Sequence, residues 1–183
     1  MWKRIGIILI FTLSTIHFKQ FCLATEDESN ELKLAIVNHE TNYTNLTYQE
    51  CDWKPGCKLK QLSCRYLDEF MNHINITITE EYYRTPEEAK DAVRTNKVVG
   101  ALYFTENFTD ALVARLLLGN MSDDNTINQS EVRVWLDTSN QPVGETLPTD
   151  LHVAFQNFTK DIHSDCNIRE ELLEIPLSLM NLD

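Results

Sequence analysis

The chain has 183 residues, with 28 Asp and Glu against 16 Lys and Arg, a net charge of −12. A surface this acidic repels the phosphates of nucleic acids and of anionic lipid headgroups, so no nucleic-acid partner is expected. There is length enough for one domain with a proper core and no composition shift or linker that would divide it.

Residues 1–24 read as an export signal. Lys3 and Arg4 form a basic start, Ile5 to Phe18 a mainly apolar run of 14, and Cys22-Leu23-Ala24 a small-residue exit before Glu26-Asp27-Glu28. A membrane span needs about 20 apolar residues, and this run is interrupted by His17 and followed by Lys19. A signal peptide (or a degenerate first membrane helix) is therefore expected over 1–24, and a single α/β domain over 25–183. Without residues 1–24 the chain carries 13 Lys and Arg against 28 Asp and Glu, a net charge of about −15.

Leu32 to Asn38 is a short apolar run that predicts a buried strand. His39 to Gln61 is polar and predicts an exposed loop. Ser63 is placed to cap a helix carrying Tyr66, Leu67, Phe70 and Ile74 at helical spacing. Ile76, Ile78 and Tyr82 alternate with polar residues and predict a second strand. Thr85-Pro86-Glu87-Glu88 is a capping box with proline at the first helical position, and its helix buries Ala89, Ala92 and Val93. Val98 to Phe104 predicts a third strand. Phe108, Leu112 and Leu116 share one helical face that Gly119 ends. Val132, Val134 and Leu136 predict a fourth strand, closed by turn residues Ser139 to Pro142, and a last helix is expected from about Thr149 to Ile162. Strands alternating with helices imply a small, mainly parallel or mixed sheet of about four strands with crossover helices.

Seven Asn-x-Ser/Thr triplets stand at Asn42, Asn45, Asn75, Asn107, Asn120, Asn128 and Asn157. Fifteen asparagines would give roughly two by chance, so the excess points to a glycosylated chain in the secretory lumen or outside the cell. Beyond the signal, Cys51, Cys57, Cys64 and Cys166 form an even set, which in an oxidising compartment implies two disulfides. Three connectivities are open; Cys51–Cys57 around Pro55-Gly56 with Cys64–Cys166 is the expected one. Their spacing lacks the Cys-x2-Cys knuckle of zinc sites, so no metal is expected.

Catalytic and cofactor motifs are absent. The five glycines (Gly6, Gly56, Gly100, Gly119, Gly144) are too scattered for a phosphate-cradling loop, so neither ATP nor a dinucleotide is expected to bind. There is no Gly-x-Ser-x-Gly elbow and no His-Glu-x-x-His. His39 and Asp137 follow strand ends, where α/β sheets place reactive groups. Their plainer readings are a loop histidine and a turn-capping aspartate, and Trp135 reads as a core aromatic. No enzyme and no cofactor are expected.

Four stretches together resemble one family. Phe21-Cys22-Leu23-Ala24 through Leu34-Ala35-Ile36-Val37-Asn38-His39-Glu40 is similar to the junction after the first membrane helix of arthropod ATP-binding-cassette transporters of subfamily H and their subfamily-G-like relatives. Leu62-Ser63-Cys64-Arg65-Tyr66-Leu67 resembles the start of the first helix in that family's large extracellular loop. Val99-Gly100-Ala101-Leu102-Tyr103-Phe104-Thr105-Glu106-Asn107-Phe108-Thr109-Asp110 and Val134-Trp135-Leu136-Asp137-Thr138-Ser139-Asn140-Gln141 resemble two further blocks. The resemblance covers residues 21–183 and implies an α/β extracellular domain inserted between the first two membrane helices of an exporter permease, with lipid or other hydrophobic cargo. The implied partners are the membrane part of such an exporter or a second copy of the chain. A stand-alone secreted glycoprotein that binds a small apolar ligand or a partner protein is the alternative expectation.

Overall fold

The computed structural model describes residues 32–41, 51, 53–74, 76–137, 139, 141–167 and 177–180. They form a mixed α/β unit around one sheet. In chain order the elements are β1 (Leu32–Asn38), α1 (Leu62–His73), β2 (Ile78–Tyr82), α2 (Pro86–Arg94), β3 (Gly100–Phe104), α3 (Phe108–Leu118), a 3-10 turn (Gly119–Met121), α4 (Asp124–Ser130), β4 (Val132–Leu136), α5 (Gln141–Cys166) and β5 (Leu177–Leu179). No helix among the described residues is long and apolar enough to cross a membrane.

The strands lie in the order β2-β1-β3-β4-β5. β1 pairs parallel with β2 and with β3, β3 pairs antiparallel with β4, and β4 pairs parallel with β5. The step from β1 to β2 runs one way across the sheet and the step from β2 to β3 runs back over β1. Crossovers of one hand must then place α1 and α2 on opposite faces, and the two hydrophobic clusters follow that division. On one face Leu34, Ile36, Leu102, Phe104, Val132, Val134 and Leu136 pack under α1, α3 and α5. Tyr66 is the centre of this larger core, its ring within 6.0 Å of those of Phe104, Phe155 and Phe158, and its hydroxyl donates to the Leu151 carbonyl at 3.2 Å. On the other face Ala35, Val37, Ala101 and Trp135 meet Ala89, Ala92 and Val93 of α2. Small alanines there let α2 lie close to the sheet.

Direction matters as much as order. β5 runs antiparallel to β1, because its partner β4 is reversed against β3. The chain therefore enters this unit at Leu32 and leaves it at Met180 at the same end of the sheet, with Met180 N still donating to the Val134 carbonyl. Three inter-strand spacings, about 14 Å, separate the two strands sideways, and the register sets Met180 level with Ala35, roughly 10 Å along β1 from Leu32, so the two points lie about 17 Å apart.

Several expectations are corrected. The sheet has a fifth strand, β5, too short at three residues to leave a pattern in the sequence. α4 was not expected; Asp123 caps it, accepting from Thr126 N at 2.7 Å. The last helix starts at Gln141, eight residues before the expected start, since Pro142 falls in its first turn, where no N–H is needed. Pro148 lies inside it, where it has no N–H to donate to the Gly144 carbonyl. Ser63 is not the cap of α1: Gln61 occupies that position in a left-handed conformation, φ 51°. The four cysteines do form two disulfides, but as Cys51–Cys64 and Cys57–Cys166 rather than Cys51–Cys57 with Cys64–Cys166. The long-range bond closes a separation of 109 residues and contributes roughly 4–5 kcal/mol on a chain-entropy account.

Gly100 marks a tight approach in the sheet. A Cβ there would stand 2.8 Å from Leu136 Cδ2, 3.1 Å from the Trp135 carbonyl and 3.3 Å from Leu34 Cδ1. Leu136 is its cross-strand partner, so the reversed pairing of β4 depends on the missing side chain. Gly100→Ala is expected to cost roughly 1–3 kcal/mol through overpacking, read as a lower urea midpoint at unchanged slope.

Candidate functional site

Open α/β sheets bind ligands at the carboxyl ends of their strands, where the strand order reverses. Here that point lies between β1 and β3, and two helix N-termini, those of α1 and α3, converge on it. Such a junction presents free N–H groups and positive dipole ends, an arrangement suited to an anion. The protein fills it from within. Glu40 follows the end of β1, and its Oε2 accepts from Ser63 N at 3.1 Å and from the Ser63 hydroxyl, while its Oε1 accepts from Thr109 N at 3.0 Å. Asn38, buried at the end of β1, donates to Ser63 Oγ at 2.8 Å and accepts from Glu40 N at 3.1 Å. Thr109 Oγ1 accepts from Leu62 N at 2.8 Å. One carboxylate thus caps two helices, and the anion position belongs to the chain's own side chain.

Ligand-sized space lies elsewhere, between α1 and the edge strand β2. This cleft of about 610 Å³ has a floor of Leu67, Met71 and Ile78, aromatic walls from Trp53 and Tyr82, and the carboxylates of Asp68 and Glu80. Burial pushes the Glu80 carboxyl above its ordinary value; Asp68 adds to the rise and the hydrogen bond from the Tyr82 hydroxyl opposes it. No basic side chain lines the cleft among the described residues. Its chemistry suits an apolar molecule bearing a neutral or cationic head.

The Cys51 side of the cleft is held by bonds that converge on Arg65. Its guanidinium, nearly buried, pairs with Asp165 at 2.7 Å and donates to the Gly56 carbonyl at 3.4 Å. Gly56 N donates to the same Asp165 carboxylate at 3.2 Å, and the guanidinium lies 5.6 Å from the centre of the Trp53 ring. Together with the two disulfides, these contacts tie the 53–57 segment to α1 and to the end of α5.

The other singled-out residues fall into structural roles. His39 bonds the Arg84 carbonyl through Nε2 at 3.0 Å and sits edge-on to Tyr103, with 5.2 Å between ring centres. Asp137 caps its turn, accepting from Ser139 N at 2.9 Å and Ser139 Oγ at 2.6 Å. Trp135 is buried in the smaller core with the Lys90 ammonium 4.6 Å from its ring. Asn107, Asn120 and Asn128 are exposed, Asn157 is half-buried within α5, and Asn42, Asn45 and Asn75 lie outside the described residues. No group of residues able to hold a metal ion occurs among the described residues. The sequence reading missed Glu40 and Glu80. Glu40 carries no local signature, because its partners lie 23 and 69 residues away. Glu80 shares a strand face with Ile78 and Tyr82, two residues from each, so the available signal was a carboxylate at a position where the alternation places apolar residues.

Two substitutions separate these roles. Glu40→Ala leaves the N–H groups of Ser63 and Thr109 without their acceptor and is expected to cost roughly 2–4 kcal/mol in urea unfolding, with Glu40→Gln recovering part of the loss. For Glu80 the folded state holds the proton more tightly than the unfolded state. Folding therefore takes up a proton in the window just above pH 4.5, and stability falls as pH rises through it. Glu80→Gln is expected to melt higher than the parent at pH 7–8, with the difference shrinking on acidification towards pH 4.

The sequence matches the family described as ABC-2 family transporter protein over residues 5–181. No curated protein matches it. Among solved structures, a domain assigned to an ABC type-2 transporter from Thermotoga maritima MSB8 is similar at a TM-score of 0.44 and 12% identity, covering 81% of this chain and 83% of that one. The family match takes in nearly the whole sequence, and on that ground the chain belongs to the ABC-2 transporter family, a component of transport machinery rather than an enzyme.

Proposed function

We propose that residues 32–180 are the extracytosolic domain of an exporter permease of the subfamily H or subfamily-G-like kind, carried between its first two membrane helices. In this role the domain covers the outer mouth of the transporter and takes part in release of lipid or other hydrophobic cargo only within the complete machine. The observation that carries the reading is that β1 starts from, and β5 runs out towards, the same end of the sheet, with Leu32 and Met180 about 17 Å apart. Neighbouring helices pack at about 8–10 Å, so two connections leaving one end of the sheet within about two helix spacings suit a pair of nearby spans. The sequon excess and the two disulfides support the oxidising, extracytosolic side. Its partners in this reading are the membrane part of the exporter or a second copy of the chain.

A secreted glycoprotein binding an apolar ligand is the second reading, favoured by the cleft between α1 and β2. An antibody against residues 32–166, applied to membrane and soluble pools of native tissue, distinguishes the two. The permease reading expects a band confined to the membrane pool and much larger than the 21.2 kDa of this chain. A soluble band that falls to near the peptide mass after deglycosylation would replace it with the secreted form.

A further inference from the structure

α3 ends in an unusual surface. Leu117, Leu118 and Met121 are 65%, 44% and 80% exposed, three large apolar side chains within five residues, on the turn that Gly119 opens with a positive φ of 54°. Apolar side chains grouped in this way on a water-facing domain normally have a cover. Between Leu118 and Met121, after Gly119, stands Asn120, exposed and the acceptor of an Asn-Met-Ser sequon. The other sequons of the described residues have different surroundings. Asn107 follows the exposed Glu106 and precedes the buried Phe108, Asn128 lies among polar residues of α4, and the sequon of Asn157 has both Phe158 and Thr159 buried.

The geometry points to the glycan of Asn120 as the cover of this patch, an inference that rests on the extracytosolic reading above. The Asn120 amide nitrogen bonds to the anomeric carbon of an oligosaccharide donor linked to a lipid diphosphate. The diphosphate leaves with the electron pair of the broken C–O bond, and the amide gives one proton to solvent. The first sugars then lie over Leu117, Leu118 and Met121, with their C–H faces and acetamido methyl groups against the side chains and their hydroxyls in water. This glycan is structural: it replaces exposed hydrocarbon with a hydrated surface and keeps the turn from associating with a second copy.

The test uses the full chain made in cells that glycosylate it, alongside Asn120→Gln, Ser122→Ala and the control Asn128→Gln. Ser122→Ala removes the sequon while retaining Asn120. It costs no hydrogen bond to the protein, since Ser122 Oγ is buried without a partner among the described residues. Glycopeptide mass spectrometry is expected to find Asn120 occupied. Loss of that glycan in either variant is expected to raise binding of an apolar dye several-fold and to produce concentration-dependent dimers by light scattering, unlike Asn128→Gln. Adding Met121→Ser to Asn120→Gln restores the monomer. A bare Asn120 in a protein glycosylated elsewhere overturns the inference and leaves the extracytosolic reading standing. So does an occupied Asn120 whose loss changes neither dye binding nor mass, while a bare Asn120 with binding to phosphatidylcholine vesicles assigns the patch to a lipid surface instead. A protein with no glycan at any sequon overturns both.

Discussion

The antiparallel pairing of β3 with β4 is the constraint on which the rest of the architecture turns. A continued parallel winding would carry the last strand away from the first and release the chain at the far end. Reversal at β4 sends β5 back, so that the chain enters at Leu32 and leaves past Met180 towards the same end of the sheet. The pairing needs Gly100 opposite Leu136, where a single added carbon meets a side chain, a carbonyl and Leu34 at once. The backbone freedom of glycine is secondary there; what counts is the missing volume. A small local requirement thus fixes a global property of the domain.

The same economy of space governs the strand ends. α/β sheets commonly leave their switch point open for a phosphate or carboxylate ligand. In this protein the Glu40 carboxylate takes that place and joins β1 to the starts of α1 and α3. The consequence is a switch point occupied by the chain's own carboxylate, and a cleft that lies at the β2 edge instead. Near that cleft the long-range bond Cys57–Cys166 and the pair Arg65–Asp165 tie the 53–57 segment to the end of α5. The Asp165 side chain of the ion pair is 32% exposed, so the covalent bond is the stronger of the two restraints.

Much of this fold was legible in the sequence, and the limits have physical causes. The Thr85-Pro86 capping box, the apolar run of β1 and the alternation of β4 are local signals, and each element lies where its signal placed it. The last helix is expected from about Thr149, yet α5 starts at Gln141 and runs through Gly144 and Pro148 because Val143, Leu147 and Leu151 bury its early turns in the core. The disulfide pairing was misjudged since proximity in sequence favoured Cys51–Cys57, whereas Cys64 in α1 stands beside Cys51 in space. Of the sites, His39, Asp137 and Trp135 took their plainer roles. Glu40 escaped notice because its importance lies wholly in partners brought to it by the fold, and the cleft of Glu80 exists only once α1 lies beside β2.

These features join in one account: an acidic, disulfide-tied domain of the ABC-2 transporter family whose two connections leave from the same end, with its opposite end sealed by its own carboxylate. The most direct test is antibody binding to residues 32–166 on intact cells, compared with permeabilised cells, followed by alkaline carbonate extraction of their membranes. The account predicts full binding without permeabilisation and a signal that stays with the extracted membranes. Binding that appears only after permeabilisation would contradict it, because the domain would then lie on the cytosolic side.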